Sequence, residues 1–150
     1  MNSTFNIQHS KLNVFFWIVY SCLHLAACGQ ASNKATKFQQ YFVQGEQLYL
    51  KSCSNCHQKK GDGLGRLYPP LNNSDYMDQH LEDVICIMKN GVKGELLVNG
   101  KKYNKEMKGI PSLTELEIAE IATYIYNSWG RQRGLIDIQT VAKALEKCPQ

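Results

Sequence analysis

Apolar residues recur every three or four positions in four segments of this chain, and that spacing predicts four amphipathic helices. The segments are residues 38–51, 78–90, 114–127 and 138–147. The third segment opens with Thr114 and has Glu117 three residues later, which is the pattern of a capping box. The Asn-Gly pair at positions 99–100 predicts a small hairpin over residues 95–103. Because the strands are minor, the predicted fold class is all-α.

Two stretches of the chain lack a helical pattern and are expected to be irregular. Residues 59–73 contain three glycines and two prolines, a composition that predicts a long loop. Residues 28–37 are rich in small and polar residues without an apolar period, which is typical of a flexible tether. The predicted organisation is an N-terminal signal over residues 1–27, the tether, and one domain over residues 38–150.

The N-terminal 27 residues have the features of a bacterial export signal. The apolar run at residues 14–20 is too short to span a membrane. The sequence Leu-Ala-Ala-Cys at residues 25–28 resembles the lipobox of bacterial lipoproteins, in which the cysteine receives a diacylglyceryl group. Cys22 is a second candidate for lipidation, and ordinary cleavage near Gln30 or an uncleaved anchor is the alternative. We therefore expect a domain on the periplasmic side of the bacterial cell envelope, held to the membrane by lipid at Cys28.

The charge of the chain excludes one class of partner. The whole sequence carries 17 Lys and Arg against 13 Asp and Glu, and without residues 1–27, which include Lys11, the balance is 16 against 13, or +3. The basic residues are scattered, and no nucleic-acid-binding motif accompanies them. We therefore expect no nucleic acid among the partners.

The motif Cys53-Ser-Asn-Cys56-His57 carries the candidate chemistry. Two thiols at this spacing can add across the vinyl groups of one haem as thioethers, and the histidine that follows is placed to ligate the iron. A zinc site would need a second ligand pair, and the other four cysteines form no second CxxC. A thioredoxin-like dithiol would need βαβ units, whereas the flanks of this motif are helical and loop-rich. The motif therefore predicts one covalently bound haem c.

Residues on either side of this motif extend the argument to a family. With CxxCH followed about 50 residues later by Met107 and then by a capped helix, the chain resembles a class I cytochrome c over residues 38–129. The resemblance implies that Gly45 and Tyr49 on the first helix pack against Ile121 and Tyr124 on a later helix. A glycine allows two helix backbones to cross closely, and the aromatic ring fills the crossing. It also implies the cytochrome c fold, with helices packed around one haem.

The resemblance makes Met107 the candidate second axial ligand, opposite His57. A thioether in this position raises the reduction potential. His80 is the next candidate, and Met77 and Met88 are further rivals that fit a core position more simply. Lys108 follows Met107 where the family often has proline.

The resemblance also assigns roles in the loop after the motif. A proline carbonyl there accepts the free N–H of the ligating histidine, and Pro69 or Pro70 would take this role. We prefer Pro70, because Pro70-Leu71 resembles the Pro-Leu pair of the family, and Leu71 would then face the haem.

Two protein ligands leave no open position on iron for a substrate, so the expected function is electron transfer and not catalysis. The expected partners are a redox donor and acceptor, for instance a terminal oxidase or reductase. A lysine-rich rim would attract acidic partners; its candidate members are Lys59, Lys60, Lys101, Lys102, Lys105 and Lys108. The alternatives are a subunit permanently docked to a reductase, dehydrogenase or oxidase, and a haem enzyme or sensor with five-coordinate iron.

Cys86 and Cys148 remain after the other cysteines have been assigned to the signal, the lipid and the haem. Since an exported domain lies in an oxidising compartment, the two thiols are expected to form a disulfide. The alternative is that Cys86, in an apolar stretch, is an ordinary buried residue.

Overall fold

The computed structural model describes residues 33–149, so the predicted signal over residues 1–27 and the lipidation site Cys28 lie outside the described residues. The compact unit is Phe38–Gln150, and residues 33–37, which precede it, are helical. The expectation of irregular structure is therefore wrong for residues 33–37, where alanine and lysine are good helix formers. The tether as a role stays a prediction. No helix within the described residues is both long enough and apolar enough to cross a membrane.

Six helices build the described part of this unit, which confirms the all-α class. They are α1 (residues 38–52), α2 (Ser54–His57), α3 (Asp75–Gln79), α4 (Leu81–Asn90), α5 (Glu115–Ile125) and α6 (Ile138–Leu145). The single helix predicted over residues 78–90 is wrong, because two helices meet at His80, whose backbone leaves the helical region. The start of α3 was also missed, although Ser74 caps it by accepting a hydrogen bond from the Met77 amide.

Four short strands form two antiparallel pairs. They are β1 (Gly91–Val92), β2 (Leu96–Val98), β3 (Lys101–Tyr103) and β4 (Met107–Lys108). The predicted hairpin is confirmed as β2 paired with β3, and Asn99 and Gly100 both have positive φ, as a two-residue turn of this kind requires. The pairing of β1 with β4 was not predicted, since strands of two residues have no detectable period.

The crossing of α1 and α5 agrees with the close packing that the sequence predicted. A Cβ atom at Gly45 would collide with the carbonyl oxygen of Glu120 and lie 2.9 Å from the Cβ of Tyr124. The ring of Tyr49 is fully buried, with its centroid 5.4 Å from that of Tyr124. Ile121, the other expected partner, is buried in the same core. The predicted capping box of Thr114 with Glu117 is confirmed at the start of α5.

The C-terminal helix α6 packs on α4 and α5 through Val141 and Ala144, which are fully buried. The side chain of Asp137 caps its first turn by accepting from the Thr140 amide. A disulfide joins Cys86 of α4 to Cys148, which follows α6, across a sequence separation of 62 residues. The pair left over in the sequence is therefore bonded in the structure.

We expect a Cys86→Ser, Cys148→Ser variant to lose about 4 kcal/mol of unfolding free energy, because a bond that closes a loop of 62 residues restricts the unfolded chain. Denaturant unfolding of both proteins measures this loss, and a reductant should reproduce it in the natural protein but not in the variant. Two thiols that react with an alkylating reagent in the non-reduced natural protein would contradict the bond.

Candidate functional site

A cavity of about 460 Å³ lies next to the CxxCH motif. Its wall contains residues from α1 to α5, from the loop after the motif and from all four strands. Apolar side chains form most of this wall, among them Leu71, Met77, Val84, Ile87, Met88, Val92, Leu96, Val98, Ile110, Leu113, Ile121 and Ile125. The described fold therefore forms a mainly apolar cavity beside the candidate haem-binding motif.

The three motif residues lie on this wall at the junction of α1 and α2. Cys53 interrupts the helix between the two elements, and its carbonyl accepts a hydrogen bond of 3.0 Å from the His57 amide. The hydroxyl of Tyr49 donates to the carbonyl of Gln58 at 2.6 Å, directly after the motif. One helical turn thus brings Cys53, Cys56 and His57 to the same cavity.

His57 is held in one orientation and one tautomer. Its side chain is 7% exposed, and its Nδ1 lies 3.0 Å from the carbonyl oxygen of Pro69. Because a carbonyl only accepts, Nδ1 must carry the proton, which leaves the lone pair of Nε2 free for a metal. Desolvation lowers the pKa of His57, while the hydrogen bond to Pro69 opposes that shift. The neutral imidazole, which is the form that binds metal, is therefore favoured.

The preference for Pro70 as the acceptor of the histidine N–H is wrong, since the carbonyl that reaches His57 is that of Pro69. The loop folds back on itself through a bridge between Leu64 and Tyr68. A Cβ at Gly63 would lie 2.8 Å from the Pro69 oxygen, so the glycine permits this close approach. Both prolines line the cavity.

The Cys53 thiol does not have the lowered pKa of a reactive dithiol. Burial raises the pKa of the Cys53 thiol to about 11, and the neighbouring Cys56 adds to the shift. A reactive CxxC dithiol instead has a lowered pKa, because its thiolate is the nucleophile. Among residues 33–149, no group of three or more His, Cys, Asp or Glu side chains is placed to hold a metal ion. The zinc alternative therefore has no ligand set within the described residues.

Three of the four candidates for the second axial ligand line the cavity. Met107 lines it from β4, where it pairs with Val92 of β1. Met77 and Met88 line it as well, and both are nearly fully buried in the core. His80 is not among the lining residues; its ring lies against Tyr76 and its Nδ1 is 3.5 Å from a carboxylate oxygen of Asp83. The rival candidates that share the cavity with Met107 are thus methionines.

Leu71 lies on the cavity wall, where the resemblance placed it, and a residue that sequence reasoning missed holds it there. Arg131 donates to the carbonyl of Leu71 at 2.6 Å, to that of Ser74 at 3.0 Å and to the carboxylate of Asp78 at 2.8 Å. Its side chain is only 13% exposed. The arginine lies some 60 residues from the loop in sequence, so no local pattern could have revealed its role.

These donors fit a covalently attached haem. The set contains two thiols three positions apart, an imidazole with a free Nε2 and a thioether on the same cavity. The cavity volume of 460 Å³ lies within the range of roughly 300–1,000 Å³ typical of cofactor sites. Cys53, Cys56 and His57 would hold the group.

Comparison with known proteins agrees with this geometry. Residues 42–129, more than half of the chain, match the family model for cytochrome c. The chain is 32% identical over 92 residues to a cytochrome c-552 of Thermus thermophilus, covering 57% of this chain and 68% of that protein. A second cytochrome c-552 of that species is matched over 60% of its length.

A further relative is the cytochrome c subunit of alcohol dehydrogenase (quinone) of Gluconacetobacter polyoxogenes. The two are 30% identical over 93 residues, covering 60% of this chain and 19% of that subunit. Together, the family match, the relatives and the site show that the chain belongs to the cytochrome c family, which carries haem c covalently and transfers electrons.

Proposed function

We propose that this protein is a mono-haem electron carrier in which His57 and Met107 are the two axial ligands. The observation that supports this most directly is the buried imidazole of His57, which donates from Nδ1 to Pro69 and keeps Nε2 for the iron. Met107 lies on the same cavity as both cysteines. When bound, haem c supplies the exchange between Fe(III) and Fe(II).

The chain's own residues would set the properties of this exchange. Cys53 and Cys56 tether the cofactor, and the hydrogen bond to Pro69 fixes the plane and the basicity of the His57 ring. The mainly apolar wall would lower the local polarity around the cofactor and thereby disfavour the more highly charged oxidised state. If His57 and Met107 both ligated the iron, no position would remain for a substrate, and the protein would be a carrier and not an enzyme.

Basic residues that line the cavity support the proposal that the redox partners are acidic. Lys105 and Lys108 line the cavity. Within the same region, Lys102 pairs with Glu95 at 3.0 Å and Lys93 pairs with Glu106 at 3.3 Å. Of the predicted rim, Lys102 is thus paired with a carboxylate, and we infer that Lys105 and Lys108 would attract an acidic donor or acceptor, such as a terminal oxidase or reductase.

The proposed location is the periplasmic side of the bacterial cell envelope, with the domain held on a membrane by lipid at Cys28. Its support is the Leu-Ala-Ala-Cys sequence at residues 25–28. Two or three acyl chains suffice for stable anchoring, because each buried CH₂ contributes about 0.8 kcal/mol.

The similarity to a subunit of an enzyme complex supports a second proposal, in which the protein is permanently docked to a partner enzyme. The similarity to a cytochrome c subunit of an alcohol dehydrogenase makes a permanently docked subunit of an oxidoreductase the alternative to a free carrier. Purification from the native membrane under mild detergent distinguishes the two, because a docked subunit elutes with its enzyme and a carrier elutes alone.

An optical spectrum of the purified protein tests the proposed function. We expect reversible oxidation and reduction, and in the oxidised state a weak absorption band toward the red end of the spectrum from the iron–thioether bond. A five-coordinate spectrum that changes on addition of carbon monoxide would instead support the haem enzyme or sensor.

A further inference from the structure

The segment that carries Met107 rests on the C-terminal end of α4. The Ile110 amide donates to the Met88 carbonyl at 3.0 Å. Gly91 and Gly109 bring the two backbones together, since a Cβ at Gly109 would lie 2.5 Å from the Gly91 nitrogen. The β1–β4 pair continues the same contact up to Met107. Residues 107–113 are therefore held by α4 and by the strand that directly follows it.

One side chain spans this contact. Lys89, in the last turn of α4, donates from Nζ to the carbonyl of Pro111 at 2.7 Å and to the carbonyl of Leu113 at 2.7 Å. A lysine in the last turn of a helix ordinarily extends into water. Here its charged group makes two short bonds to another segment, and bonds from a charged donor are stronger than neutral ones.

The two carbonyls belong to a turn that lies between Met107 and α5. The Leu113 amide closes this turn by donating to the Ile110 carbonyl at 3.0 Å, and Leu113 itself is buried and lines the cavity. The two hydrogen bonds from Lys89 hold this turn against α4. They therefore limit how far the residues just before the turn, which include Met107, can move away from the cavity.

We propose that Lys89 is a positioning residue for Met107, which keeps residues 107–113 docked on α4 and so keeps the thioether at the cavity. The inference rests on the proposed function, in which Met107 is the second axial ligand. Lys89 itself has no contact with the iron in this proposal and acts only through the loop.

Imidazole binding to the oxidised holoprotein tests the proposal, because imidazole competes with the methionine for iron. We expect Lys89→Met, which removes both bonds, to raise the apparent affinity for imidazole at least about tenfold, the factor for losing a single hydrogen bond from a charged group. Lys89→Arg, which keeps the charge and the donors, should restore a value nearer to that of the natural protein. Lys143→Met is the matched control, since Lys143 is an exposed lysine in the last turn of α6.

A second measurement detects the docking of the loop without added imidazole. Hydrogen exchange of the Ile110 amide should speed up by a similar factor in Lys89→Met, while exchange in the centre of α5 stays unchanged. Equal imidazole affinities and equal Ile110 exchange in Lys89→Met and Lys143→Met would overturn the proposal.

A Met107→Ala variant separates this inference from the proposed function. If that variant does not bind imidazole more tightly than the natural protein, Met107 is not the ligand and the proposed function fails. If it does bind more tightly while Lys89→Met behaves as Lys143→Met, the ligand assignment stands and only the role of Lys89 is overturned.

Discussion

A Cys53→Ser, Cys56→Ser variant is expected to lose its covalently bound haem completely. Both thiols line the cavity beside His57, and thioether bonds to the vinyl groups need both sulfurs. A haem stain after denaturing electrophoresis measures the loss, since the group stays with the natural protein under these conditions. The matched control is the Cys86→Ser, Cys148→Ser variant, which removes two cysteines and should keep the stain.

The same variant should also lose most of its stability. Without haem, the apolar wall of this cavity would face water instead of the cofactor, and burial of apolar surface is the dominant favourable term in folding. An ordinary domain has only about 5–15 kcal/mol of unfolding free energy to lose. We therefore expect no cooperative thermal transition in the haem-free variant.

Extraction of haem from the natural protein by acidified organic solvent would contradict covalent attachment.

A Met107→Ala variant should keep its haem but lose the absorption band of the iron–thioether bond. Its reduction potential should fall by about 0.2 V, a fraction of the roughly 0.8 V over which axial ligands set haem potentials, because a thioether favours Fe(II) over Fe(III). A spectroelectrochemical titration measures both effects on one sample.

The controls for this prediction come from the same cavity. Met77→Leu and Met88→Leu replace the two other methionines of the wall by an apolar side chain of similar volume, and both should keep the band. His80→Ala should keep it as well. An unchanged spectrum in Met107→Ala, together with loss of the band in one of the other three, would transfer the role of ligand to that residue.

Features that short stretches of chain encode could be predicted from the sequence alone. The CxxCH motif needs only one helical turn to bring Cys53, Cys56 and His57 together, so its spacing already contains its geometry. The capping box, the hairpin turn at Asn99-Gly100 and the apolar stripes of the longer helices are local in the same sense. The break at His80 was missed because the apolar period continues across it, and the cap at Ser74 lies before that period begins.

The contacts between distant segments could not be predicted from the sequence, because they depend on how the whole chain packs. The carbonyl that reaches His57 depends on a loop folding back at Gly63, which places Pro69 and not Pro70 against the ring. Met107 is paired with Val92 through two-residue strands, Lys89 donates to the carbonyl of Leu113, and the carbonyl of Leu71 accepts from an arginine 60 residues away. Each of these contacts involves a backbone group. Since every residue has the same backbone carbonyl, the sequence pattern does not show which one is used. Which carbonyl is used is therefore set by the packing of the whole chain around the cavity.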